Sequence, residues 1–309
     1  MAKKRPPVAL IAGPTASGKS GLALRLAEAT GGAIVNADSA QVYRDLPILS
    51  AAPSAEEKQR AEHRLYGVLD GAKSCSAADW AAMAKAEIAK LHGEQRLPIL
   101  VGGTGLYLRT LLDGIAPVPE IDPEIRAKVR GNGVSENLAE LTLLDPVAAI
   151  SLNPGDTTRI ARALEVVKST GRTLAEWQKQ SEGGIGDDVE LKSIILLPPR
   201  PWLYERCDQR FADMVEQGAL GEVEALLARN LDSDLPVMRA IGVTELATHI
   251  RGEWSLEQAI VAGQQATRRY AKRQYTWFAH QPPPEWPRFC EPLEGAATER
   301  ALALLGAAG

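Results

Sequence analysis

The stretch Gly13-Pro-Thr-Ala-Ser-Gly-Lys-Ser20 constrains the fold of this chain more than any other feature. The apolar run Val8–Ala12 precedes it and the helix-forming segment Gly21–Ala27 follows it, so a buried strand, a glycine-bounded loop and a helix come in succession. This is the arrangement of a P-loop, whose backbone N–H groups hold a diphosphate while the lysine neutralises it and the hydroxyl reaches Mg²⁺. Most such loops bind ATP or another nucleotide, and the rest of the chain must indicate whether this one does.

The composition is that of an ordinary soluble protein with one large or two modest domains. The chain has 309 residues, of which 45% are hydrophobic and 24% charged. Its apolar runs are far shorter than the ~20 residues of a membrane-spanning helix, and the basic start Met1–Pro7 is not followed by the apolar segment of a signal peptide. Cys75, Cys207 and Cys290 are too few and too scattered for a disulfide framework or a zinc site. We therefore expect a cytoplasmic protein without a membrane partner, and a monomer.

The net charge of the chain limits how it could bind nucleic acid. The formal net charge of −4 excludes a chain that coats nucleic acid over its whole surface, but it allows a local basic groove.

Strand-like and helix-like segments alternate through the first third of the chain. Strands are predicted at Val8–Ala12, Ala33–Asn36 and Leu97–Val101, and helices at Ser76–Leu91 and Gly105–Leu112. Short apolar strands separated by helices favour an α/β fold, in which a parallel sheet is flanked by helices as in the P-loop NTPases.

From about Ile115 the signals are helical only. Helix N-caps are predicted at Asp122, Asp145, Asp156 and Thr173, before a further apolar strand at Ser193–Leu197. The last third is again helical, and it includes a long helix that starts at Ser255 and extends to His280. We predict a P-loop α/β core with a helical C-terminal extension in residues 1–117 and 190–309, and an all-helical insertion domain in residues 118–189.

The acid that usually accompanies a P-loop is missing. P-loop NTPases place an acid at the end of a second apolar strand to hold Mg²⁺. Here Leu97–Val101 ends in Gly102-Gly103-Thr104, and Ser193–Leu197 ends in Pro198-Pro199-Arg200. Neither strand end carries an acid, so a phosphoryl transfer from ATP is not the obvious reaction.

Two polar residues nevertheless follow predicted strands. Asp38 comes after the strand Ala33–Asn36 and Thr104 after Leu97–Val101, and the ends of parallel strands face one ligand crevice. Asp38 is a candidate general base or outer-sphere metal ligand, with the N-cap of a following helix as the alternative. Thr104 is a candidate substrate contact, with a turn leading into a helix as the alternative.

Six motifs occur in order from about residue 8 to residue 280. They are Gly13–Ser20, Asp38–Tyr43, Leu100–Tyr107, Thr158–Glu165, Arg239–Gly242 and Thr267–Gln274. Together they resemble the tRNA dimethylallyltransferases, also called tRNA isopentenyltransferases. That resemblance implies tRNA modification by a prenyltransferase: a five-carbon group passes from dimethylallyl diphosphate to the exocyclic N6 of the adenosine on the 3′ side of the anticodon. The loop would then hold a prenyl diphosphate, which explains the missing acid because no γ-phosphoryl group is transferred.

The resemblance also implies roles for individual residues. Asp38 would accept the N6 proton, Thr104 would line the channel near the amine, Lys19 would be the charge clamp, and Ser20 would contact Mg²⁺. The implied diphosphate-binding residues are Gly13, Pro14, Thr15, Ala16, Ser17, Gly18, Lys19, Ser20 and Arg239. The implied contacts to the tRNA anticodon stem-loop are Asp38, Ser39, Ala40, Gln41, Thr104, Arg126, Thr158, Arg159, Ile160, Ala161, Arg162, Arg269, Tyr270, Ala271, Lys272, Arg273 and Gln274.

The basic segment near the C-terminus fits an RNA substrate. Arg268 with Lys272, and Arg269 with Arg273, are spaced four residues apart on a predicted helix and are expected to form a basic ridge along an RNA backbone. The target adenosine is stacked inside the anticodon loop, so it must be extruded into a channel before it can react. Tyr270 can stack on a base, with core packing as the alternative.

The chain departs from the family pattern at three places. Ala52-Pro53 stands where Lys-Pro is common, His63-Arg64 where a histidine pair is common, and Gly242-Val243 where Gly-Tyr is common. We therefore carry no diphosphate or RNA contact over to residues 48–67.

Three other functions compete with this interpretation. A P-loop kinase would need a second acidic strand end. An adenylate isopentenyltransferase, which acts on free AMP or ADP, would not need the helical insertion or the basic helix. A nucleotide-gated RNA-binding module would bind ATP and would use Asp38 only as a cap.

Overall fold

The computed structural model describes residues 5–306. Residues 1–4, with most of the basic start, and the last three residues of the predicted core domain lie outside the described part. A six-stranded sheet has the order β3-β2-β4-β1-β5-β6, and each neighbouring pair is parallel. The strands are β1 (Pro7–Ala12), β2 (Ala33–Asn36), β3 (Glu62–Arg64), β4 (Pro98–Gly102), β5 (Glu190–Leu196) and β6 (Arg288–Phe289). The predicted α/β class is confirmed.

Helices connect the strands and extend the chain beyond them. They are α1 (Lys19–Thr30), α2 (Ala55–Arg60), α3 (Ala77–Gly93), α4 (Gly105–Asp113), α5 (Pro123–Gly131), α6 (Val134–Leu144), α7 (Pro146–Ser151), α8 (Thr157–Thr170), α9 (Leu174–Gln178), α10 (Arg200–Glu216), α11 (Ala219–Ala228), α12 (Val243–Ile250), α13 (Leu256–His280) and α14 (Ala296–Leu304). Within residues 5–306, no helix is both long and apolar enough to cross a membrane.

The central strands are apolar because both of their faces are covered. In β1, Ala9 and Ile11 pack in the same core cluster as Leu22 and Leu26 of α1, while Leu10, which points to the opposite face, is equally inaccessible to solvent. The edge strands differ: β3 is Glu-His-Arg and β6 has only two residues. Neither was predicted, since neither contains an apolar run.

The chain divides into two compact units. One comprises the chain up to Leu111 and the chain from Ile185 onward, and the other is Leu112–Gly184. The second unit begins six residues before the predicted insertion 118–189 and ends five residues before its end. Its role as a tRNA-contacting domain stays a prediction.

The helices of the unit Leu112–Gly184 start where the sequence signals place them. Asp122, Asp145 and Asp156 accept N–H groups from Glu124, Ala148 and Arg159 at the starts of α5, α7 and α8. The unit has its own core, which includes Val129, Leu141, Ile160 and Leu164. Local capping chemistry therefore predicted these helices correctly.

Candidate active site

The P-loop presents free backbone donors at the start of α1. No side chain caps this helix, whose first residue is Lys19, so its first N–H groups remain available to an anion. Gly18 has a φ of 93°, and Ala16, which has a side chain, is held at a φ of 62°. Left-handed backbone at a non-glycine residue costs free energy and is kept where a site requires it.

Three cations lie around the loop. The Lys19 ammonium donates to the Pro14 carbonyl at 2.5 Å, and the Arg206 Nε donates to the Ala16 carbonyl at 3.2 Å. Lys19, Arg206 and Arg210 line a cavity of about 490 Å³, which we call the phosphate cavity; its walls also include Ala16–Gly21. Backbone donors and cations thus surround a volume suited to a diphosphate.

Burial lowers the pKa of the Lys19 ammonium to about 7, and this effect outweighs the stabilising charge of Asp38. Arg210 adds a repulsive positive charge and lowers this pKa further. A bound diphosphate would bring negative charge next to Lys19 and favour its charged form.

A second cavity of about 230 Å³, which we call the amine cavity, has Thr15 of the P-loop in its wall. Aromatic rings contribute much of its wall, and Asp38 and Arg239 also line it. The aromatic residues are Tyr43, Tyr107, Phe211 and Tyr270. Arg210 lines both cavities and makes no hydrogen bond within residues 5–306. A ligand that spans the two cavities would therefore pass this guanidinium.

Asp38 is held by its neighbours in a fixed turn. Its backbone N–H donates to Asn36 Oδ1 at 2.8 Å, and its Oδ1 accepts the N–H of Ala40 at 2.9 Å. The indole of Trp80 donates to the Asn36 carbonyl at 2.9 Å. No helix begins at residue 39, so Asp38 caps a turn and not a helix. The Asp38 carboxylate also lies close enough to Lys19 and Arg210 to stabilise their charged forms.

Thr104 stabilises the turn that contains Asp38 through a hydrogen bond. Its Oγ1 accepts the N–H of Ser39 at 3.0 Å, and Tyr270 lies beside it. Thr104 is at the start of α4 and does not contribute to the wall of the amine cavity. The structure therefore places it next to the predicted base, with its hydroxyl engaged by Ser39.

Gln274 of α13 holds the P-loop in place. It is buried; its Oε1 accepts the Thr15 N–H at 2.8 Å, and its Nε2 donates to the Gly103 carbonyl at 2.8 Å. A Cβ atom at Gly103 would lie 2.2 Å from Gln274 Nε2, so a side chain at this position would displace the Gln274 amide. This amide fixes the P-loop relative to the strand end that precedes Thr104.

The motif that predicts a basic ridge on α13 is divided between two faces of the helix. Arg269, Lys272 and Arg273 are exposed, whereas Ala271 and Gln274 are buried. Arg268 pairs with Asp208 of α10, so of the predicted Arg268–Lys272 pair only Lys272 is an exposed cation without this partner. Tyr270 faces the amine cavity.

The remaining predicted contacts have varied surroundings. Arg239 lines the amine cavity but pairs with Asp234. Gln41 donates to the Ser50 and Ala51 carbonyls, at 3.0 and 2.8 Å. In the unit Leu112–Gly184, Ile160 is buried; the predicted residues at least partly exposed there are Arg126, Thr158, Arg159, Ala161 and Arg162.

The departures from the family pattern fall in different surroundings. Ala52 and His63 line the phosphate cavity. Arg64 lies among Glu62, Glu87 and Glu94, with ion-pair distances of 2.8 to 3.0 Å. That arginine therefore has a structural role at the sheet edge.

Sequence reasoning missed the two arginines of α10. Arg206 and Arg210 are four residues apart, and their segment Glu205–Arg210 has the charges of an ordinary solvated helix face. The available signal was their spacing with the apolar Leu203 and Cys207, which places all four residues near one buried face.

Few side chains near the P-loop could ligate a metal ion, so a metal bound there would also be coordinated by the ligand. Ser20 is exposed at the start of α1, and no group of three or more His, Cys, Asp or Glu residues within residues 5–306 could hold a metal ion. A hydroxyl together with diphosphate oxygens and water suits Mg²⁺, which keeps several waters in such sites. The residues present therefore fit Mg²⁺ bound with the diphosphate.

The comparisons with known proteins agree with this geometry. The chain matches the IPP transferase family over residues 41–281. It is 61% identical to the tRNA dimethylallyltransferase of Sphingopyxis alaskensis, with 93% of this chain and 94% of that protein covered. It is 60% identical to the one of Erythrobacter litoralis, with 92% of each covered.

Solved structures show the same fold. The tRNA isopentenylpyrophosphate transferase of Bacillus halodurans is 30% identical, with a TM-score of 0.69 and 97% of each chain covered. A eukaryotic dimethylallyltransferase acting on tRNA is 27% identical, with a TM-score of 0.77, 88% of this chain and 69% of that chain covered. From its sequence motifs, its fold and its relatives, this chain belongs to the IPP transferase family of prenyltransferases.

Proposed function

We propose that this chain transfers a dimethylallyl group from dimethylallyl diphosphate to the exocyclic N6 of the adenosine 3′-adjacent to the anticodon in tRNA. The observation that carries this proposal is the pair of cavities that share Arg210 in their walls, one lined by P-loop residues and cations and the other by aromatic rings and Asp38. The relatives named tRNA dimethylallyltransferase support the same reaction.

The phosphate cavity has the donors needed for a leaving group. In the reaction the allylic C1–O bond breaks and its electron pair departs with the diphosphate. Lys19, Arg206 and Arg210, with the free N–H groups of α1, are placed to stabilise that charge as it develops. Mg²⁺ held by Ser20 and the diphosphate would add further positive charge. Arg239 would reach the same group after releasing Asp234.

The amine cavity supplies the base. As the N6–C1 bond forms, the nitrogen must lose a proton, and the Asp38 carboxylate is the acceptor in this wall. Aromatic rings on the same wall are suited to an adenine and an apolar prenyl chain. Protonated Asp38 then passes the proton to solvent, so the balanced products are prenylated tRNA, diphosphate and H⁺.

The exposed cations of α13 fit the RNA substrate. Arg269, Lys272 and Arg273 occupy one exposed face, which can neutralise successive phosphates of a tRNA anticodon stem-loop. Tyr270, on the inner side of the same helix, lies where an extruded base would enter. Free AMP would make no use of this basic face. We propose action as a monomer in the cytoplasm, where tRNA is found.

The test compares donors on one RNA. Purified protein is incubated with Mg²⁺ and unmodified tRNA, together with either dimethylallyl diphosphate or ATP, and the nucleosides are analysed by mass spectrometry. We expect prenylated adenosine with the prenyl donor only, and far less from AMP supplied in place of tRNA. A phosphorylated product with ATP, or prenylated AMP as the main product, would contradict the proposal.

A further inference from the structure

A buried acid supports two exposed cations in the unit Leu112–Gly184. Glu165 of α8 is 0% exposed and lies against the helical core. Its Oε1 accepts the Arg130 Nε at 2.8 Å, and its Oε2 lies 4.0 Å from Nη1 of Arg162. Oε2 is buried and has no hydrogen bond within the described chain. A buried carboxylate is costly unless cations compensate it, and here two arginines do so.

The arginines themselves are not buried. The side chain of Arg130 is 64% exposed and that of Arg162 is 42% exposed. The hydrogen bond to Glu165 uses the Nε of Arg130, so its two Nη atoms remain to donate outward. Two guanidinium groups against one carboxylate also leave one excess positive charge. The arrangement can therefore hold an anion at the surface.

Further positive charge lies on the same helices. Arg126 is one turn before Arg130 on α5, and Arg159 is close to Arg162 on α8. Like charges four residues apart on a helix destabilise it. Arg159 is offset by Asp156 at 3.5 Å, but the side chain of Arg126 is exposed. Such a cluster is stabilised when a polyanion binds to it.

We propose that Arg130 and Arg162 form a phosphate-binding pair for the RNA backbone, and that Glu165 is the positioning residue that orients both guanidinium groups. This inference rests on the proposed function only for the identity of the partner, the tRNA. It adds Arg130 and Glu165 to the RNA-binding surface, neither of which the sequence motifs indicate as contacts. Arg130 comes from α5 and Glu165 from α8, so the pair exists only in the folded unit.

A purely structural ion pair would have different consequences. It would stabilise the helical unit, and its loss would lower the melting temperature without changing the number of ions released when RNA binds. A phosphate contact changes that number, since each neutralised phosphate contributes about 0.7 to 0.9 to the slope of log Kd against log salt concentration. The salt dependence of binding therefore separates the two roles.

The test uses unmodified tRNA as the probe, with Kd measured over a range of salt concentrations. Arg130→Gln should raise Kd roughly three- to tenfold near ~0.1 M salt and reduce the slope by about 0.7 to 0.9. Lys128→Gln is the matched control, because Lys128 is exposed on the same helix about 200° around from Arg130 and contacts neither Glu165 nor Arg162. It should leave both quantities close to those of the parent protein.

Two further variants test the positioning role. Arg130→Lys keeps the charge but loses the planar fork, so the slope should be retained while Kd rises. Glu165→Gln keeps both cations but no longer holds them by charge, and Kd should rise about two- to fivefold with the slope retained. Melting temperatures are recorded alongside. If Glu165→Gln does not fold, Arg130→Lys tests the geometry alone.

The proposal fails if Arg130→Gln binds tRNA with the Kd and slope of the parent and of Lys128→Gln. Absence of any transfer by the parent protein would instead reject the proposed reaction, and the binding measurement would remain valid on its own.

Discussion

The two cavities of the site differ in the charged side chains that line them. In the phosphate cavity, Lys19, Arg206 and Arg210 gather positive charge around backbone donors. The amine cavity is lined by four aromatic rings and by Arg210 and Arg239, and Asp38 is its carboxylate. A leaving group needs its charge dispersed over many fixed donors, whereas one proton needs a single acceptor in the right place. The comparison indicates that changes in the first cavity alter donor binding and changes in the second alter the chemical step.

The largest effect is expected at Asp38. Asp38→Asn keeps the shape of the side chain but removes the base, so the single-turnover rate of transfer should fall about 10²- to 10⁴-fold. The donor affinity, measured by calorimetry, should change less than threefold. Asp79→Asn, in a helix-capping carboxylate of α3 outside the cavities, is the control and should leave both values unaltered. Near-normal transfer by Asp38→Asn would remove it as the base.

Lys19→Met tests the opposite cavity. A buried hydrogen bond to a charged group contributes about 1.5–3 kcal/mol, so donor affinity should fall roughly 10- to 150-fold. Transfer at saturating donor should also fall, because the leaving group loses a stabilising charge. Arg25→Ala, on the exposed part of α1 and paired with Glu299, is the matched control. An unchanged donor Kd in Lys19→Met would contradict the assignment of the phosphate cavity.

Gln274→Met should affect both cavities at once. The substitution approximates the shape of glutamine but leaves the Thr15 N–H and the Gly103 carbonyl without their partner. Each unpaired buried group costs about 1–3 kcal/mol. We expect weaker donor binding, slower transfer by about tenfold, and a lower melting temperature in thermal unfolding. Lys272→Ala, which removes an exposed cation two residues away, should instead weaken only tRNA binding.

If Gln274→Met changed tRNA affinity alone, the hydrogen bonds of Gln274 to Thr15 and Gly103 would have no role in the reaction. The exposed and buried sides of α13 would then share one function, contrary to the structure.

The smallest expected effect is the uptake of protons when the donor binds. The pKa of Lys19 is lowered to about 7 by burial, so near pH 8 the free protein holds this amine mostly neutral. A bound diphosphate favours the charged form and raises this pKa, so binding takes up protons, and donor affinity falls as pH rises above about 7. Calorimetry in two buffers of different ionisation enthalpy should show uptake approaching one proton near pH 8. Lys19→Met should abolish that part of the uptake, and equal uptake in both proteins would exclude Lys19 as its source.

How much of this site the sequence could predict depends on how local each part is. The P-loop is one contiguous segment, and its strand and helix are predicted by the residues beside it. The same holds for the helix starts at Asp122 and Thr173, where a side chain caps a backbone group two or three residues away. Such features depend on short-range hydrogen bonds, which sequence spacing determines.

The amine cavity and the hydrogen bonds that hold the P-loop are formed by residues that lie far apart in the sequence. Thr15 and Gln274 are 259 residues apart, and only the folded sheet and α13 bring them together. Arg210 appeared as one more charge on a solvated helix, because only its spacing relative to the buried Leu203 and Cys207 indicated which face of the helix it shares. The motif containing Gln274 correctly indicated an important helix, but it could not show that this side chain points inward. The two short edge strands were missed for a similar reason, because they are defined by their neighbours.

The most direct test of the central claim is the stoichiometry of the phosphate product. In one reaction with Mg²⁺, unmodified tRNA and dimethylallyl diphosphate, released diphosphate and prenylated adenosine are measured together. We expect a ratio of one to one, and no tRNA-dependent release of phosphate or ADP when ATP replaces the prenyl donor. Release of phosphate from ATP that depends on tRNA, or prenylation without diphosphate release, would contradict the claim that this P-loop holds a leaving group.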